Sequence, residues 1–271
     1  MRKAKTKSKR RKSPVAKLPT KASVPVAEMA GYTTLLYGAK KVGKTTLAAR
    51  FPGAYFLMFE PGAKALAVYQ SAVSSWSHFV AYLDLLEAGD HDFKTIVIDT
   101  VDGAYQACFG YMCTKLAIDH PQDQSDFGKS WGQIDQEFTR QMLRLLNLGT
   151  GAIFISHEKL REITTRGGKT FDRLDTSCAT QAQRFLEGIV DIWAHYGYHG
   201  TDRFLLLQGS DFVGAGNRLE GNFQTVTGKA LVAVPMGRTS AEAYKNLMAA
   251  FDNTQKEVHA EVLESLGKRK A

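Results

Sequence analysis

One stretch, Gly38-Ala39-Lys40-Lys41-Val42-Gly43-Lys44-Thr45-Thr46, narrows what this chain can fold into more than any other. The residues before it, Tyr32 to Tyr37, form an apolar run of strand length, and Leu47-Ala48-Ala49-Arg50 after it reads as the opening of a helix. A strand, then glycine, four residues and Gly-Lys-Thr, then a helix, is the order of a phosphate-binding P-loop. The glycines let backbone N–H groups turn inward around phosphate oxygens, and a helix N-terminus adds partial positive charge at the same place. The spacing predicts that Lys44 reaches the β and γ phosphates of a nucleoside triphosphate and that the Thr45 hydroxyl ligates Mg²⁺.

Around this loop the composition is that of a globular protein: 44% apolar and 23% charged over 271 residues, enough for one α/β domain with extensions. No apolar run approaches the roughly 20 residues of a membrane span, and the basic N-terminus is not followed by a signal-peptide core. The expectation is a cytoplasmic protein without membrane contact. Cys108, Cys113 and Cys178 have no metal-ligand spacing and read as buried, reduced thiols.

The net charge of +8 is unevenly placed. The first 21 residues contain ten Lys or Arg and no acid; taking those ten from the 35 basic residues leaves 25 against 27 acids, a near-neutral body. Residues 1–26, rich in Lys, Ser and Pro, bury too little apolar surface to offset their ordering entropy and are expected to be a disordered basic tail. Such a tail attracts phosphate backbones through counterion release, so Lys9, Arg10, Arg11 and Lys12 are candidate DNA contacts. A solubility tail or a nuclear address are the plainer readings.

After the loop, Ala54 to Phe59 reads as a strand ending at Glu60. An acid at the carboxyl end of a buried strand suits the ligand edge of an open α/β sheet, where Glu60 would polarise the water that attacks the γ-phosphate. The alternative is a cap for a helix beginning near Ala63. Residues 76 to 87 have helical spacing, with His78 on the surface, and Thr95 to Asp99 is a buried strand ending in an acid. This is a Walker B pattern, with Asp99 holding Mg²⁺ opposite Thr45. Val101 to Lys115 reads as a helix, His120 to Trp131 as irregular, Gln133 to Leu148 as a helix, and Ala152 to Ile155 as a further buried strand. It leads into Ser156-His157, either of which is placed to sense the γ-phosphate or simply to end the strand. Arg166-Gly167-Gly168-Lys169 reads as a turn surrounded by Lys159, Arg161, Arg166, Lys169 and Arg173; it is either a DNA-gripping loop or a solvated hairpin. Thr180 to Gly188 reads as a helix, and strands Ile189 to Tyr196 and Arg203 to Gln208 are expected to add in antiparallel fashion. Ser240 to Phe251 reads as an amphipathic helix.

The order of P-loop, Glu60, Asp99-Thr100 and strand-Ser156-His157 with a loop after it resembles the RecA-type ATPase core, over residues 32 to about 208. Within that group it looks most like phage-encoded RecA-like ATP-binding proteins, some of which act in single-strand annealing and recombination. The resemblance implies that Glu60 activates water, that the sensor lies at Ser156-His157 where recombinases carry Gln, and that segments 120–132 and 158–178 face DNA. Ala39 stands where ParA/MinD-type proteins carry a lysine, and Asp99 is followed by Thr100 where AAA+ proteins usually place Glu.

The expected fold is α/β: a RecA-like P-loop NTPase core (27–251), a mostly parallel central sheet flanked by helices, antiparallel strands late in the chain, and a charged C-terminal tail (252–271). The expected function is an Mg²⁺-dependent ATPase that binds single-stranded DNA in recombination, annealing or replication. A homo-oligomer and a single-strand-binding or replication protein are the expected partners. Lys44, Glu60 and His157 are the catalytic candidates; Arg166, Lys169 and Arg173 join the tail residues as DNA contacts. Arg203, Lys229 and Arg238 are the candidates for a cation supplied across a subunit interface. A nucleotide-dependent adaptor or loader with little hydrolysis is the alternative, and a small-molecule kinase a more distant one.

Overall fold

The computed structural model describes residues 18–255. In chain order the strands and helices are β1 (Thr33–Gly38), α1 (Lys44–Ala48), β2 (Ala54–Met58), β3 (Tyr69–Ala72), α2 (Trp76–Ala88), β4 (Thr95–Asp99), α3 (Val101–Leu116), α4 (Lys129–Leu146), β5 (Gly151–Thr164), β6 (Thr170–Thr176), α5 (Thr180–Ile189), β7 (Ile192–His199), β8 (Asp202–Leu206), β9 (Gly216–Asn217), β10 (Ala233–Pro235) and α6 (Ser240–Phe251).

The sheet runs β10-β8-β7-β1-β5-β4-β2-β3, with β6 paired to β5 and β9 to β7. From β7 to β3 every neighbour is parallel. Parallel strands need crossovers that cover both faces, and the strands are correspondingly apolar throughout: β2 and β4 are buried at every position. Alternation along each strand divides the core into two layers. Leu36, Val97, Ile153 and Ile155 pack with Leu47, Leu247 and Phe251 from the α1 and α6 side. Leu35, Ile96, Ile98 and Phe154 face the other way, against Phe79, Tyr105, Phe138 and Leu186 of α2 to α5. The RecA-like α/β arrangement, with antiparallel strands added late, is the observed one.

Four local expectations are corrected. No helix begins at Ala63; a turn from Ala63 to Leu66 leads instead into β3, which pairs with β2 and satisfies its otherwise open edge. Helix α4 begins before Trp131, because the Asp126 carboxylate accepts from the backbone of Gly128 and Ser130 and from the Ser130 hydroxyl, capping the turn. Strand β5 does not stop at Ile155 but continues to Thr164 as one arm of a ribbon with β6. Strand β7 is parallel to β1, since α5 returns the chain to the starting edge of the sheet before β7 begins; β8, β9 and β10 are the antiparallel additions. The tail residues Lys9, Arg10, Arg11 and Lys12, and most of the C-terminal tail, lie outside the described residues.

Candidate active site

Parallel pairing sets the ends of four strands on one edge. Gly38 lies opposite His157, Asp99 opposite Ile155, and Met58 opposite Asp99. The residues that follow these ends therefore converge, although 119 sequence positions separate Gly38 from His157.

The loop has the backbone a phosphate cradle needs. Gly38 has φ +154°, and a Cβ there would lie 1.9 Å from the Tyr196 carbonyl oxygen, so only glycine lets β1 leave the sheet beside β7. Lys41 adopts φ +66°, left-handed for a residue with a side chain, the sort of strain that concentrates at ligand-binding loops. Because α1 spans only five residues, the loop's own N–H groups and Lys44, more than a long helix dipole, carry the positive character. Val42 is buried, the Thr46 hydroxyl donates to the Gly43 carbonyl at 2.8 Å, and Ala39 is half-buried against the core. Lys40 and Lys41 are exposed at the rim.

Lys44 is 5% exposed, and its Nζ donates to the carbonyls of Gly38 and Ala39 at 2.7 and 2.8 Å. Burial lowers its pKa from 10.5 to about 8, although Asp99, Glu158, Asp102 and Glu60 pull the other way. The Thr45 hydroxyl donates to Asp99 Oδ2 at 2.7 Å. Burial pushes the Asp99 carboxyl above its usual value, partly offset by that hydrogen bond. A hydroxyl and a carboxylate this close are hard oxygen donors of the kind Mg²⁺ takes, and Mg²⁺ needs few protein ligands when phosphate and water complete its shell.

Glu60 stands opposite. Its Oε1 accepts from the Thr100 hydroxyl at 2.6 Å and its Oε2 lies 3.2 Å from His157 Nε2. Burial raises its pKa, but the Thr100 and His157 hydrogen bonds outweigh this and hold it below the usual carboxylate value. With no helix at Ala63 there is nothing for Glu60 to cap. Of the two sensor candidates, His157 faces this edge; Ser156, one position earlier on β5, points to the opposite face and is fully buried against Thr176 and Ser177. His157 Nδ1 is buried without a hydrogen-bond partner.

A cavity of about 370 Å³ joins the P-loop, Asp99 and His157 with two residues from the far side of β1, Tyr198 and Arg203. Neither Lys229 nor Arg238 lines it. Thr100 was legible as part of the Asp99-Thr100 motif but not as a partner of Glu60, and Tyr198 was not legible at all, since a tyrosine near a strand end carries no spacing signal. On the β5–β6 ribbon, Arg166 and Lys169 sit exposed at the turn, whereas Arg173 pairs with the buried Asp175 at 2.6 Å and Arg161 donates to the carbonyls of Thr176 and Cys178. The tip thus carries Arg166 and Lys169, with Lys159 exposed lower on the arm. The three cysteines are buried and free.

A family model described as an AAA domain matches residues 30–219, which includes every element of this site. The chain belongs to the AAA domain family. Here Thr100 follows Asp99, and its hydroxyl donates to Glu60, which lies just past the end of β2. The SPbeta prophage-derived uncharacterized protein YorG of Bacillus subtilis (strain 168) is 26% identical over 155 residues, 54% of this chain and 48% of that protein. The chain thus spans about half the length of this curated relative. Among solved structures, the KaiC-like protein PH0186 from Pyrococcus horikoshii OT3 is similar with a TM-score of 0.42 at 14% identity, over 77% of this chain and 87% of that one. The RadB recombinase is similar with a TM-score of 0.40 at 14% identity, over 69% of this chain and 84% of that one. The family match and the motif order agree on a P-loop ATPase. Among the described residues no helix is long and apolar enough to cross a membrane.

Proposed function

We propose that this protein hydrolyses ATP and uses the reaction to change its hold on single-stranded DNA. The observation that carries the first half is Glu60, fixed by Thr100 and His157 across one edge from Lys44, Thr45 and Asp99. An ionised carboxylate held by two hydrogen bonds is a fixed acceptor. It orients a water oxygen toward the γ-phosphorus and takes its proton as the new P–O bond forms and the bond to the β–γ bridging oxygen breaks, releasing ADP. Lys44 and the loop N–H groups hold the phosphates. Thr45 and Asp99 would hold Mg²⁺, which neutralises phosphate charge when bound.

The second half rests on continuity. His157 and the basic ribbon belong to the same strand, β5, so a change at His157 acts on a rigid arm ending at Arg166 and Lys169. A homo-oligomer and a replication or single-strand-binding partner belong to the same proposal.

The test is the ATPase rate with and without single-stranded DNA, with sizing of the nucleotide-bound particle. The rate should rise with DNA. Glu60→Gln should lower kcat by about 10²- to 10⁴-fold, the range for a lost general base, while ADP affinity stays within about threefold. Normal turnover by Glu60→Gln would remove Glu60 from the chemistry. ATP binding without turnover in the wild type would favour the adaptor.

A further inference from the structure

A phosphoryl-transfer site of this kind needs a cation on the charge that develops as the γ-phosphate leaves, and that cation can come from the same chain or a neighbour. Arg203 is built into the P-loop of its own chain. It is the second residue of β8, directly opposite Tyr198 of β7, and β7 lies beside β1. Its Nε donates to the Gly237 carbonyl at 3.0 Å, and its guanidinium carbon lies 6.0 Å from the Tyr196 ring centre. One edge of the fork is thereby fixed and the other directed at the loop. A Cβ placed on Gly43 would lie 3.1 Å from Nη1, so the side chain lies against the residue before Lys44.

Two features mark this as a site for an anion. Nη2 is buried without a hydrogen-bond partner, and among the described residues no carboxylate lies within ion-pair distance of Arg203. A buried guanidinium N–H left unpaired is costly, and Lys44 lining the same cavity adds like-charge repulsion. A phosphate oxygen between the two cations removes both penalties. The fork geometry also suits phosphate, which an arginine meets with two parallel N–H groups.

We infer that Arg203 acts in cis: from the same chain as the P-loop, it donates to the β–γ phosphate oxygens and stabilises the charge that grows on them during hydrolysis. The proposal rests on the hydrolysis reading and adds to it that one chain contains its own cation. An oligomer would then be needed for DNA or partners, not to complete the chemistry.

The experiment combines two single-site variants. Arg203→Ala should lower kcat about 100-fold or more, and should weaken a slowly hydrolysed ATP analogue about tenfold while changing ADP affinity less than threefold. Arg203→Lys, which keeps charge and stem but not the fork, should lie between; thermal melting of both variants confirms the fold. Arg203→Ala is then mixed with Lys44→Ala, with exchange of chains verified by co-purification through a tag on one variant. If the cation crosses an interface, equimolar mixing pairs an intact P-loop with an intact Arg203 at about a quarter of interfaces and activity returns. If it acts in cis, no site regains both groups and the mixture stays inactive; a wild-type monomer whose specific activity does not change with dilution supports the same conclusion. Recovery on mixing, or unchanged kcat in Arg203→Ala, overturns the inference while leaving hydrolysis intact. Absence of turnover in the wild type refutes the hydrolysis reading; equal analogue affinity in wild type and Arg203→Ala then overturns the phosphate contact as well.

Discussion

Lys44 allows a quantitative test of the phosphate cradle. In the free protein its ammonium is almost wholly buried, and burial brings its pKa to about 8. Nucleotide phosphates replace the lost hydration with negative charge, so binding raises that pKa and keeps Lys44 protonated across the assay range. With a free-state value of about 8, the fraction of free protein lacking the Lys44 proton is about a quarter at pH 7.5 and about nine-tenths at pH 9. Binding must supply that fraction. Below pH 8 both states carry the proton and affinity is nearly flat. Above it the free protein must first take up a proton, so affinity falls, by about eightfold between pH 7.5 and 9. The assay is calorimetric ADP titration at constant excess Mg²⁺ in buffers of different ionisation enthalpy, which counts protons directly. The phosphates themselves are fully ionised over this range. Wild type should take up about a quarter of a proton at the lower pH and about nine-tenths at the higher. Lys44→Met should bind more weakly with no rise. Equal uptake at both pH values in the wild type, or the same rise in Lys44→Met, would refute the assignment of the shift to Lys44 burial.

Further tests address the frame and the nucleic-acid contacts. Gly38→Ala combines a left-handed backbone with a 1.9 Å approach to Tyr196, and should cost about 3 kcal/mol in urea unfolding. Gly149→Ala, at φ +78° but with nothing within 4 Å, should cost only about 1 kcal/mol; equal losses would mean that β1 and β7 do not meet as described. Removing residues 1–21 should flatten the salt dependence of single-stranded DNA binding, because fewer counterions are released. A nucleotide-dependent difference in DNA affinity should survive that deletion and disappear in Arg166→Ala/Lys169→Ala. If the difference persists in the double variant, the ribbon is not the switch.

Much of the site could be read before any tertiary contact was known, because a P-loop is local: the turn, its glycines and Lys44 are consecutive, and their chemistry follows from spacing alone. Glu60 and Asp99 were legible for a related reason, as acids ending apolar strands where packing gives them no purpose. Reading each segment in turn also located α2 to α6 among the described residues, though α4 starts before Trp131 because of a side-chain cap at Asp126.

What the chain could not declare locally depends on which edges meet. Strand β3 exists because β2 has an open edge to satisfy, and β7 runs parallel because α5 returns the chain before it starts. Ser156 and His157 are neighbours in sequence with equal claims on the phosphate, until the alternation of β5 turns one toward Thr176 and the other toward Glu60. Arg203 was one of three candidate cations, with Lys229 and Arg238, and nothing local separated it from the other two. Only the pairing of β8 with β7, and of β7 with β1, brings its guanidinium to Gly43. The sequence by itself determined that the chain carries a phosphate-binding motif and which loop carries it. Tertiary structure decided which residues surround it, since side-chain convergence across a sheet depends on strand order and direction, and these are settled by burial of the whole surface rather than by any one segment.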